Sequence, residues 1–156
     1  RDKFRYTLVV HASDLPKGKG WSPYVWQILE GSNQITVSLF EAVDKFDEGD
    51  IWEKKILELE GHELYSEIHE KLSDVTISLM EFAIKNPNHK PNPQPLTDST
   101  YYPKRTPKDS QLDPNKTIKE QFELMRVADE NRYPCFFYFR GYKYNIMLKK
   151  YKDKTE

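Results

Sequence analysis

Four histidines, one cysteine and a carboxylate-rich loop supply the acid–base and nucleophilic side chains of this 156-residue chain. His11 closes the apolar, β-branched run Tyr6-Thr7-Leu8-Val9-Val10-His11, which reads as a strand buried on both faces in a parallel sheet. The carboxyl ends of such strands line the crevice where open α/β sheets bind ligands. The plainer reading of His11 is a buried imidazole with one ring nitrogen bonded to backbone. The loop Ala42-Val43-Asp44-Lys45-Phe46-Asp47-Glu48-Gly49-Asp50 carries the carboxylates. Asp50 ends it, after a glycine that lets the backbone turn sharply; the plainer reading is a solvated charge cluster. If a carboxylate from this loop meets His11, it stabilises an imidazolium that can donate to a developing oxyanion, which suits acyl transfer.

The remaining candidates are weaker. His62, His69 and His89 are expected at the surface. Cys135, in Tyr-Pro-Cys-Phe-Phe, reads as an inert buried thiol, and a single cysteine excludes an internal disulfide and a multi-cysteine zinc site, so no metal is expected. Gly18-Lys19-Gly20-Trp21-Ser22 lacks the spacing of a phosphate loop, and neither Ser13 nor Ser22 sits in a nucleophile elbow. A net charge of -1, from 24 Lys+Arg against 25 Asp+Glu, gives no long-range field toward nucleic acid or an anionic membrane. No apolar run approaches the roughly 20 residues of a bilayer span, and one cysteine fits a reducing compartment, so the expected location is cytoplasmic.

These side chains need elements to hold them. Ala12 to Gly20 reads as a loop, Ser22-Pro23 as the start of a helix from about Tyr24 to Glu30, and Gly31 as its stop. Gln34 to Glu41 alternates Ile35, Val37 and Leu39 with Thr36, Ser38 and Phe40; with the extended stretch from Ile51 to Glu60 it predicts a hairpin with the acidic loop at its mouth. Leu64, Ile68, Leu72, Val75, Leu79 and Phe82 predict one amphipathic helix to about Lys85. Pro87, Pro91 and Pro93 then force an extended crossing, and Tyr101 to Ser110 reads as loop. Thr117-Ile118-Lys119-Glu120 is a capping box opening a helix to about Asp129. Phe136 to Arg140 and Lys143 to Leu148 flank Gly141-Tyr142 as an aromatic hairpin.

Leu8 to Gly20, with its H-x-S-x-L-P-x-x-x-G pattern from His11 to Gly20, resembles the strand and loop of formyltransferases that use N10-formyltetrahydrofolate. Phe46-Asp47-Glu48-Gly49-Asp50-Ile51 resembles their folate loop. Tyr102 to Ser110, through Arg105-Thr106-Pro107, is similar to a segment of sugar N-formyltransferases. The resemblance runs through essentially the whole chain. It implies an α/β fold: residues 1–86 as the C-terminal part of a Rossmann-like catalytic domain, 87–100 as a Pro-rich linker, and 101–156 as a small helix-plus-hairpin subdomain.

The same resemblance implies a catalytic pair, His11 and Asp50, and folate contacts from Val43, Asp44, Asp47 and Gly49. It further implies substrate contacts from Ser13, Lys17 and Arg105, with Phe137 or Tyr138 as a base-stacking surface. The implied cosubstrate is N10-formyltetrahydrofolate and the implied partner a nucleotide-linked amino sugar, without nucleic acid or membrane; a homodimer is the assembly it allows. Methionyl-tRNA or glycinamide ribonucleotide formylation, or a silent binding module, are the alternatives. Two departures stand out. Val9 occupies the position where the family has an asparagine that helps hold the oxyanion, leaving Thr7 and Ser13 as the nearest polar substitutes. The family's elements ahead of the histidine strand are also missing from these 156 residues.

Overall fold

Alternation along Gln34 to Glu41 sends Ile35, Val37 and Leu39 to one side of a sheet, and that side carries the main core. The computed structural model describes residues 4–95 and 97–152. Strand β1 (Leu8–His11) pairs with β3 (Gln34–Glu41), which pairs with β4 (Ile51–Glu58), in the order β1-β3-β4. The two pairings are antiparallel. This corrects the expectation of a strand buried on both faces in a parallel sheet: the partner of β1 among the described residues runs antiparallel and Val9 is exposed, because an apolar run without alternation fixes neither the direction of its neighbour nor the cover on its outer face. Short β2 (Lys19–Gly20) and helix α1 (Pro23–Leu29) intervene between β1 and β3.

Helix α2 (Tyr65–Lys85) covers the core face. Ile68 and Leu79 are fully buried against Ile35, Val37, Leu39 and Leu57, with Leu72 and Val75 packed alongside and Val25 and Ile28 of α1 completing the cluster. Each fully buried aliphatic side chain contributes about 1.5–3 kcal/mol, so the spacing in the sequence is what seats the helix. The opposite face of β3 is covered by loop. Ser38 Oγ donates to the Ser13 carbonyl at 2.7 Å, and a bulge at Leu39/Phe40 turns Phe40 into a small cluster with Leu15 and Ile51.

After α2 the chain is more tightly bound than a free crossing. Asn92 bridges to Ile51 through two backbone bonds of 2.7 and 2.8 Å. Strand β5 (Tyr101–Tyr102) pairs in parallel with β2, where the sequence suggested only loop; two rungs are too few to leave a periodic signal. The capping box at Thr117 forms, with Thr117 N–H donating to Glu120 at 2.8 Å. The expected long helix instead shrinks to a 3-10 turn over Lys119–Gln121 and a short α3 (Phe122–Arg126). Gln121 is the reason: its amide accepts from Asp113 N–H at 2.6 Å and donates to the Asp113 carbonyl at 3.0 Å, holding the turn against the preceding loop. Strands β6 (Cys135–Phe139) and β7 (Tyr142–Ile146) form the predicted hairpin, antiparallel. The Cys135 thiol is buried, donates to the Leu124 carbonyl at 3.3 Å, and is pushed up to about 11 by burial, as an inert thiol should be.

Candidate active site

Leu8 and Val10 pack toward the main core, so alternation places Val9 and His11 on the loop-covered face. There His11 Nε2–H donates to the Gly18 carbonyl at 2.9 Å, and the ring meets Phe40 edge-on at 6.5 Å between centroids. The carbonyl can only accept, so the proton sits on Nε2. Nδ1 then faces Asp47 Oδ1 at 3.9 Å. Both side chains are largely enclosed, His11 at 11% exposure and Asp47 at 18%.

Asp47 is aimed by its own backbone and by three neighbouring segments. Its φ of 57° lies in the left-handed region that aspartate tolerates better than most residues. Oδ2 accepts the Gly20 N–H at 2.9 Å, and Gln94 donates to the Asp47 and Gly49 carbonyls at 3.0 and 2.8 Å. At Gly49 a Cβ would lie 1.7 Å from the Glu41 carbonyl oxygen, so only glycine lets the loop fold onto the strand end. Glu48 meets the buried Lys19 ammonium at 3.4 Å and Lys45 at 3.5 Å. Desolvation pushes its carboxyl up, but the two lysines outweigh that and hold it below the ordinary range.

The acid that meets His11 is therefore Asp47, which the resemblance assigned to folate, rather than Asp50. The reason is register: Asp50 already lies on the ladder, its carbonyl accepting from Glu41 N–H at 3.0 Å as β4 begins. Val43 and Asp44 are exposed on the same loop, and Lys17 is exposed between β1 and β2. Ser13 is buried, with an Oγ that has no hydrogen-bond partner in the described structure. Thr7 is exposed.

Arg105 is buried away from the loop, bonded to Ser110 Oγ at 3.0 Å and stacked over the Tyr133 ring at 5.2 Å. Phe137 and Tyr138 do not form one surface. Phe137 packs with Leu112, Met125 and Cys135, whereas Tyr138, next along the strand, is 54% exposed.

The sequence reading missed the Gln94 clamp and the Gly18 acceptor. A glutamine amid prolines was the available signal for the first; nothing short of the fold points to the second. Two histidine placements also change. His62 is exposed, but His69 is half-buried and bonded to the Tyr24 hydroxyl at 2.6 Å, and His89 packs on Trp52 and Phe82. Burial pushes the His69 imidazole below its usual range. Glu60, His62 and Glu63 lie within 4.8 Å of one another, yet cations already take their place: Lys71 meets Glu63 at 2.6 Å and Lys150 donates to His62 Nδ1 at 3.0 Å.

No protein-family model matches the chain. In sequence it is similar to methionyl-tRNA formyltransferase from Streptococcus pneumoniae, 27% identical over 129 residues, which is 80% of this chain and 41% of that one. The chain thus spans about two fifths of the length of the curated relatives it matches. Its fold is shared with methionyl-tRNA formyltransferase from Clostridium thermocellum (TM-score 0.81, 22% identity, 96% of this chain and 65% of that one). It is shared with a sugar N-formyltransferase from a Shewanella species (TM-score 0.74, 15% identity, 94% and 62%). It is also shared with HypX from Aquifex aeolicus in complex with tetrahydrofolic acid (TM-score 0.69, 19% identity, 88% and 24%). No helix among the described residues is long and apolar enough to cross a membrane. With formyltransferases on both sides of the comparison, sequence and structure, the chain carries part of the formyltransferase fold.

Proposed function

We propose that the protein containing this chain transfers a formyl group from N10-formyltetrahydrofolate to the amine of a nucleotide-linked amino sugar. The observation that carries the reading is the placement of His11 between the Gly18 carbonyl and Asp47. The unprotonated amine attacks the formyl carbon, a C–N bond forms, and the carbonyl oxygen becomes an oxyanion. His11 Nε2–H, exchanging Gly18 for that oxygen, donates to it, and Asp47 supports the imidazolium from Nδ1. Collapse breaks the bond to N10 of the folate, and the amine proton passes to the leaving nitrogen. Val9 offers no donor. The unpaired Ser13 hydroxyl, two residues beyond His11, supplies the second hydrogen bond in this scheme. The outward residues Val43 and Asp44, with the Gly49 backbone, are the folate contacts.

The sugar is supported by the Arg105 segment, by the fold shared with a sugar N-formyltransferase and by the near-zero net charge, which is poorly suited to a tRNA backbone. A second reading, methionyl-tRNA formylation, is favoured by the sequence similarity to those enzymes. A transfer assay offering nucleotide-linked amino sugars, glycinamide ribonucleotide and methionyl-tRNA decides between them. Product with the sugars, lost in His11→Ala, is the expected result; product with tRNA alone overturns the sugar assignment, and no product with any acceptor makes the protein a binding module.

A further inference from the structure

Two arginines are buried among the described residues, and they differ in the charges that face them. Arg126 is fully buried and faces two carboxylates, Glu123 at 2.6 Å and Glu63 at 3.5 Å, with Asn33 Oδ1 accepting at 2.8 Å. Arg105, 6% exposed, has no carboxylate within ion-pair distance among the described residues. Its recorded partners are neutral: Ser110 Oγ, the Asp109 carbonyl at 3.5 Å and the Tyr133 ring. Its Nε–H is buried with no acceptor. A buried cation without a counter-ion is costly and calls for an anion.

The space for one is present. Arg105 lines a cavity of about 250 Å³ beside Ser22, Tyr24, His69 and the exposed Arg132. Asp129 also lines it, but that carboxylate is committed elsewhere: Oδ1 accepts from the N–H groups of Asn131 and Arg132 at 2.9 and 3.2 Å, and Oδ2 from the Tyr65 hydroxyl at 3.1 Å. The wall thus presents two guanidiniums and the Ser22 hydroxyl against one carboxylate, whose oxygens already accept and whose charge Arg132 partly offsets. Planar guanidinium groups suit the oxygens of phosphate and carboxylate alike.

We propose that this cavity is an oxyanion-binding site, held by Arg105 and Arg132, for a phosphate or carboxylate group. The site is separate from the His11 pair and stands whether or not formyl transfer is the reaction.

The test titrates the chain with inorganic phosphate, and in parallel with acetate, following the arginine Nε–H signals by ¹⁵N-resolved NMR and the melting temperature. Phosphate is expected to shift the Arg105 Nε–H signal saturably and to raise the melting temperature. Arg105→Lys, which removes the fork, should weaken phosphate about tenfold or more, and Arg132→Gln several-fold. Saturation by phosphate alone identifies a phosphate site, and saturation by acetate alone a carboxylate site. An Arg105 signal unmoved by both anions, or affinity unchanged in Arg132→Gln and Arg105→Lys, overturns the proposal. Should Arg105→Lys fail to fold, the wild-type titration and Arg132→Gln still decide it.

Discussion

Glu63 and Asp47 each face a basic side chain, and their surroundings differ in saturation. Glu63 is 1% exposed, and its oxygens take Lys71 at 2.6 Å, the N–H groups of Glu60 and Gly61 at 2.8 and 3.0 Å, and Arg126 at 3.5 Å. Burial pushes this carboxyl up, but the Lys71 ammonium and the backbone donors overcome it and hold it down to about 2. Asp47 has a single backbone donor on its outer oxygen and stands 3.9 Å from His11, just beyond hydrogen-bond reach. A saturated carboxylate fixes a fold. One with spare capacity can follow a charge that appears on its neighbour, which is what a reacting site requires.

Removing Glu63 should have the largest effect on the fold. Glu63→Ala leaves Arg126 buried beside one remaining carboxylate and should cost about 3–5 kcal/mol in denaturant unfolding; a loss under about 1 kcal/mol would show that the pair belongs with weak surface bridges. His11→Ala should do the reverse, lowering formyl transfer roughly 10²–10³-fold while costing about 1 kcal/mol of stability through the lost Gly18 bond. If both properties fall together, His11 is a structural residue.

Asp47→Asn should lower transfer about 10²-fold and Asp50→Asn far less, as read by kcat. The opposite order restores Asp50 as the partner and dissolves the contrast with Glu63. The acid limb of stability tests Glu63 on its own. Glu63 has a depressed folded value, so its contribution is complete above the unfolded carboxyl range of about 4.3. It is lost as pH falls from there toward about 2. Glu63→Gln should flatten that limb in an acid unfolding titration. The smallest effect is expected from Gln94→Ala, which frees two loop carbonyls at about 1 kcal/mol and should lower kcat more than it lowers the melting temperature.

The parts legible beforehand are those set by periodic burial. Helix α2 follows from apolar spacing, the β3–β4 pair from alternation, and both hairpin strands from aromatic runs about a Gly-Tyr turn. His11 was legible as a strand-end imidazole, and its two readings coexist: one nitrogen is bonded to backbone and the other faces an acid. The choice between Asp47 and Asp50 was not. It depends on a left-handed backbone at Asp47 and on Gly49 closing against Glu41, and three positions in a turn reverse which way a carboxylate points. The direction of β1 and the two rungs of β2 with β5 escaped for a related reason, since each is decided by a distant partner. Arg105 was visible only as a residue within a resembling segment; that it is buried with no carboxylate in ion-pair reach among the described residues belongs to the tertiary structure.

The β2–β5 ladder has one further consequence. Gly20 belongs to it and holds Asp47 through its N–H, Tyr102 belongs to it on the other side, and Arg105 follows three residues later. A Cβ on Gly20 would meet the Tyr102 carbonyl at 2.4 Å, so the clasp closes only because that side chain is absent. Around it Gly18 and Lys19 donate to Thr100, Trp21 donates to the Tyr102 carbonyl and the Tyr102 hydroxyl donates to Glu30. One short joint therefore ties the loop that carries Asp47's donor to the segment that leads to Arg105.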